Sequence, residues 1–136
     1  MDSKQVSDLM NRRPLTIAPD IGVIVAMRQL LQKQVSAAAV VDASGALVGV
    51  ISEADCLKGT LMGGYFEEVG ELVAERMTRD VCTVAPDTNL VDAAELMLRN
   101  KRRVLPVVDN GRVVGALSRS AVIATIIETM DAAVCA

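Results

Sequence analysis

The chain states one pattern twice. Thr16-Ile17-Ala18-Pro19-Asp20 returns as Thr83-Val84-Ala85-Pro86-Asp87, about 67 residues further on. Met10-Asn11-Arg12 returns as Met77-Thr78-Arg79, and Val40-Val41-Asp42 as Val107-Val108-Asp109. The run Gly45 to Ser52 returns as Gly111 to Ser118, with one residue fewer in the second turn. Matched turns and matched apolar runs at a fixed spacing mean two copies of one supersecondary unit. A copy of roughly 60 residues buries too little surface to be stable alone, and 136 residues leave room for one ordinary domain or for two half-domains sharing a core. Function is expected where the copies disagree at polar positions.

Each copy reads as strand, helix, strand, strand, helix, an α/β (α+β) pattern. A short extended segment at Thr16 or Thr83 ends at a proline, which places Asp20 and Asp87 as expected helix N-caps. In the helices that follow, Ile24, Met27 and Leu31, and likewise Val91, Ala94 and Leu98, fall at i, i+3, i+7 and are expected to face the core. Two hairpins follow, Ala37 to Val41 with Leu47 to Ile51, and Val104 to Val108 with Val113 to Leu117. The second turns on Asn110-Gly111, a strong hairpin signal. Ser52 and Ser118 precede the last helix of each copy as caps, and Gly49 and Gly115 fit close packing within a strand. The boundaries are repeat 1 over 1–60, a linker over 61–72 and repeat 2 with a C-terminal helix over 73–136. Around the linker, Gly63-Gly64, Tyr65 and Phe66 form a linker or a short interaction patch.

Composition narrows the function. Hydrophobic residues make up 51% of the chain and aromatics 1%, so the core is aliphatic. A net charge of -3 gives no basic footprint for nucleic acid. A polar start and the lack of any bilayer-length apolar run exclude a membrane span and lead to a cytoplasmic assignment. Cys56, Cys82 and Cys135 are odd in number and unmatched between copies, so neither a disulfide framework nor a zinc site is expected. With no His, the chain lacks the commonest general base and metal ligand, and no catalytic or metal site is assigned.

In order, spacing and duplication, these motifs resemble the cystathionine β-synthase (CBS) domain, which occurs as tandem pairs called Bateman modules. The carriers are the two Thr-hydrophobic-Ala-Pro-Asp segments, Leu105-Pro106-Val107-Val108-Asp109, and Gly49-Val50-Ile51-Ser52-Glu53-Ala54-Asp55. The resemblance implies two β-α-β-β-α units packed about a pseudo-twofold axis, with adenosine compounds bound in two clefts. It assigns one well-equipped cleft to Ser52 and Asp55 of the first copy with Thr83, Val104, Leu105 and Pro106 of the second, to which the adjacent Arg103 is added on its charge. A carboxylate can accept from both ribose hydroxyls, a serine at a helix start suits phosphate, and the basic run Lys101-Arg102-Arg103 can neutralise phosphate charge. The weaker cleft combines Thr16, Ala37, Ala38 and Ser118, and has Ala121 where the family pattern has Asp.

Each of these residues also has a structural role available. Ser52-Glu53-Ala54-Asp55 makes a capping-box-like helix start, and Lys101 to Arg103 makes a solvated surface. The resulting expectation is a stand-alone regulatory module binding AMP, ADP or ATP, with no obligatory cofactor, acting as a homodimer that signals to an unidentified effector protein. The alternatives are a ligand-free dimerisation or interaction module and an S-adenosylmethionine sensor. An enzyme ranks last, because no nucleophile, base and orienting group converge. The apolar run Val122 to Ile127 supports the homodimer.

Overall fold

The computed structural model describes residues 4–62 and 71–135. Gly63, Gly64, Tyr65 and Phe66 of the expected linker lie outside the described residues. In chain order the elements begin α1 (Val6–Leu9), β1 (Thr16–Ile17), α2 (Val23–Lys33), β2 (Ala37–Val41), β3 (Leu47–Ser52) and α3 (Glu53–Met62). They continue α4 (Val73–Arg76), α5 (Leu90–Asn100), β4 (Val104–Asp109), β5 (Arg112–Ser118) and α6 (Arg119–Cys135). The chain divides into two compact units, Pro14–Val81 and Met1–Arg13 with Cys82–Ala136.

In the Pro14–Val81 unit, β1 pairs parallel to β2 (Ile17 opposite Val40), and β2 pairs antiparallel to β3 (Ala37 opposite Ser52). The short helix α4 joins this unit: Val73 donates its N–H to Ile21 O at 2.9 Å, and Val23 donates to Glu71 O at 2.8 Å. Glu71 and Arg76 form an ion pair, which lowers the Glu71 pKa and raises that of Arg76. Ile17, Leu30, Val40, Ile51 and Val73 are fully or almost fully buried and give the unit its aliphatic core.

The other unit repeats this plan with α1 in the place of α4. Val6 donates to Thr88 O at 2.8 Å and Leu90 to Lys4 O at 3.0 Å. Its sheet is the β4–β5 hairpin, turning on Asn110 (φ 53) and Gly111 (φ 78), which fits the left-handed demand of an Asn-Gly turn. The expected strand at Thr83 shrinks to one parallel bridge, Val84 opposite Val107. Val6, Leu105, Val107 and Leu117 centre this core. Both hairpins slip register at the same place in the repeat, between Val40 and Val41 and between Val107 and Val108.

Two expectations about the long helices are corrected. The buried stripes are Val23, Ala26 and Leu30 on α2 and Leu90, Ala93 and Met97 on α5, each one residue earlier than the spacing predicts. Both helices carry two adjacent apolar stripes of the same spacing; the earlier one is fully buried, and of the later one Met27 and Ala94 pack partly buried against the cores. Leu31 is left 80% exposed and Leu98 72%. Leu30→Ala is therefore expected to cost about 2–5 kcal/mol in a urea melt, and Leu31→Ala about 0.5 kcal/mol or less. The N-caps are Gly22 and Asn89, not Asp20 and Asp87. Pro86 and Asp87 are instead the middle of a turn closed by the Thr88 N–H on Ala85 O at 3.1 Å. The Asn89 side chain takes over the cap and accepts from the Asp92 N–H at 2.8 Å.

Candidate functional site

Ser52 ends β3 and Asp55 lies in the first turn of α3. The two exchange hydrogen bonds: the Ser52 N–H donates to Asp55 Oδ2 at 3.0 Å, and the Asp55 N–H donates to Ser52 Oγ at 3.1 Å. This is a reciprocal capping box, and both residues are half-buried. The structural role foreseen for this pair is thus realised. It leaves Asp55 Oδ1 and the Ser52 hydroxyl proton available, because neither is used in the box. Across the hairpin Ala37 stands opposite Ser52 and Ala38 opposite Ile51, while Thr16 is exposed in β1 opposite Ala39.

The second unit builds the corresponding corner differently. The Ala121 N–H donates to Ser118 Oγ at 3.1 Å, so the serine caps α6, but Ala121 has no side chain to return the bond. Ser118 Oγ instead lies 3.1 Å from Ser120 Oγ. Val104 faces Ser118 across the hairpin, Leu105 faces Leu117 and Pro106 faces Ala116. Leu105 and Pro106 are buried, and Arg103 is exposed with its carbonyl accepting the Arg119 N–H at 2.7 Å. Thr83 is half-buried beside the Val84 bridge. Ser52, Asp55, Thr16, Ala37 and Ala38 therefore share one unit, and Thr83, Arg103, Val104, Leu105, Pro106 and Ser118 share the other.

Cys56, next to Asp55, is fully buried and free of any disulfide. Burial first, and then the Asp55 carboxylate, push its thiol up to about 11. The thiol is accordingly expected to resist maleimide at neutral pH in the folded protein, which mass spectrometry would detect. The unfolded chain loses this proton first as pH rises, so Cys56 contributes stability below about pH 9 that fades as pH approaches 11. Urea melts of the wild type should weaken over that window more than those of Cys56→Ala.

One feature of the Cys82–Ala136 segment had no counterpart in the residue reading. A cavity of ≈ 340 Å³ lies between the Thr83–Ala85 segment with Thr88 on one side and Asp92, Glu95, Leu96 and Arg99 of α5 on the other. The signal for it is present in the repeat. Thr88, Asp92, Glu95 and Arg99 stand where the first copy has Ile21, Val25, Arg28 and Gln32. Among the described residues no cluster of His, Cys, Asp or Glu is placed to hold a metal ion, and no helix is long and apolar enough to cross a membrane.

A CBS-domain family model matches residues 6–60 and 69–128. The chain belongs to the CBS-domain family. It carries two CBS repeats in a mixed α/β fold, as the sequence implied. Its CBS repeats are 31% identical, over 127 residues and 93% of this chain, to part of the A-adding tRNA nucleotidyltransferase of Aquifex aeolicus. CBSX2, a chloroplast CBS protein of Arabidopsis thaliana, is 32% identical over 146 residues and 87% of this chain. The chain spans 15% of the length of the first protein and 61% of the second. The crystal structure of CBSX2 in complex with AMP has a TM-score of 0.83 to this chain, covering 94% of it and 99% of the solved chain. The CBS pair of protein MJ0100, solved with 5′-methylthioadenosine and S-adenosylmethionine, gives 0.79 at 26% identity, covering 93% and 98%.

Proposed function

We propose that this CBS pair is a regulatory module that binds AMP, ADP or ATP and passes its ligand state to a partner protein. The observation that carries this reading is the likeness, over nearly the whole chain, to a CBS pair solved with AMP. Ser52 and Asp55 of the first copy would hold the sugar and phosphate. Thr83, Val104, Leu105 and Pro106 of the second would enclose the base, and Arg103 would offset phosphate charge. The chemistry of the capping box supports the division of labour. Asp55 Oδ1 can accept from ribose hydroxyls, and the Ser52 hydroxyl can donate to a phosphate oxygen while its Oγ still caps α3. Thr16, Ala37, Ala38 and Ser118 would make the weaker site, because Ala121 supplies no carboxylate.

Regulation requires that the ligand bind two states with different affinity, and the partner must read that difference. A homodimer is part of this reading. Ile123, Ile127 and Met130 are each more than half exposed on α6, an apolar surface that a second copy would cover. S-adenosylmethionine is the second reading, favoured by the likeness to the MJ0100 pair. Calorimetric titration with AMP, ADP, ATP and S-adenosylmethionine tests both, with a thermal shift reporting any ligand that favours the folded state. Saturation near one ligand per chain is expected. If none of the four binds, the chain is an interaction module without an adenosine ligand.

A further inference from the structure

We propose that the cavity beside α5, which has only Thr83 in common with the residues assigned to the nucleotide, is a site for a small zwitterion, an aliphatic α-amino acid. At ≈ 340 Å³ it lies near the small end of the range for ligand pockets, which run from about 300 to 1,000 Å³. Glu95 and Arg99 stand one helical turn apart on its rim and are not ion-paired to each other. Two opposite charges lining one cavity without neutralising each other can be met together by a ligand that carries both. Glu95 would take the ammonium group and Arg99 the carboxylate, the guanidinium fork matching two carboxylate oxygens.

The other lining residues sharpen the class. Thr88 Oγ1 accepts from the Ala85 N–H at 3.2 Å, which leaves its proton free to donate to a ligand carboxylate. Leu96, Val84 and Ala85 supply an apolar floor for an aliphatic side chain. Asp92, already held by Asn89, adds a negative charge that disfavours a phosphate-bearing ligand. A simple cation would meet Arg99 and a simple anion would meet Asp92 and Glu95, whereas a zwitterion can set each of its charges beside an opposite one. The second copy carries this set at positions where the first has Ile21, Val25, Arg28 and Gln32. Partition of function between diverged copies is what the duplicated sequence leads one to look for.

L-leucine is the probe, titrated into the isotopically labelled full chain and followed by backbone amide shifts. Saturable shifts centred on residues 83–99 are expected. Leucinamide lacks the carboxylate and 4-methylpentanoate lacks the ammonium group, so each should bind about tenfold more weakly or worse. Glu95→Gln and Arg99→Gln should each weaken L-leucine by a similar factor; both sites are exposed, so melting should be unchanged. Absence of saturable shifts, or wild-type affinity in either variant, overturns the proposal. AMP titrated into the same sample keeps the two readings apart: AMP binding without L-leucine binding removes this site alone, and the converse removes the nucleotide.

Discussion

Gly115→Ala should destabilise the protein by about 1–3 kcal/mol, and Gly49→Ala by a similar amount, seen as a lower urea midpoint at unchanged m-value. A Cβ on Gly115 would lie 2.8 Å from Met10 Sδ and 2.9 Å from Asn11 O. A methionine can swing away, but the carbonyl cannot. Asn11 donates its N–H to Ala116 O at 2.9 Å and accepts the Ala116 N–H at 3.0 Å, so its backbone is fastened to the strand that the new methyl group would push. Gly49 meets the same arrangement, 2.7 Å from Met77 Sδ and 2.9 Å from Thr78 O, with Thr78 bridged to Val50. Met10→Ala in the Gly115→Ala background should recover only part of the loss, because it removes the sulfur and leaves the carbonyl. Full recovery, or an unchanged midpoint in the single variant, would show that the strand tolerates a side chain there.

These glycines mark what was legible in the chain. Duplication, both hairpins, the serine caps and the close approach at Gly49 and Gly115 follow from local chemistry, since turn residues and small residues have few other uses. The helix faces were not legible: α2 and α5 each offer two apolar stripes, and only docking on a sheet decides between them. Val23, Ala26 and Leu30 won over Ile24 and Leu31, with Met27 packed partly buried beside them, through packing that spacing alone does not encode. The caps failed for a related reason, because a turn through Pro19-Asp20 or Pro86-Asp87 competes with a helix start and delays it by two residues. The short helices α1 and α4 escaped notice because four residues carry no periodicity. At the candidate site, Ser52 with Asp55 was readable from a three-residue spacing. The α5 cavity was not, although the polar disagreements between the copies pointed to it.

The largest effect on ligand binding is expected at Asp55. Asp55→Ala should weaken nucleotide binding by about 10- to 100-fold, since a hydrogen bond to a charged group is worth about 1.5–3 kcal/mol. It also opens the capping box, which should cost about 0.5–2 kcal/mol of stability, so the alanine variant alone mixes two effects. Asp55→Asn separates them. The amide oxygen can still accept the Ser52 N–H that Oδ2 now takes at 3.0 Å, but the charge and the second acceptor are gone. Near wild-type melting with affinity still reduced about tenfold or more would place the carboxylate on the ligand. Wild-type affinity in both variants would reduce Asp55 to a cap and move the nucleotide elsewhere. Ala121→Asp runs the experiment in reverse. Ser118 already caps α6 without an acid, so the fold does not require one at that corner. A carboxylate installed there should lift the stoichiometry from one ligand per chain toward two. Stoichiometry held at one, with the variant folded, would mean that the second corner lacks more than its acid.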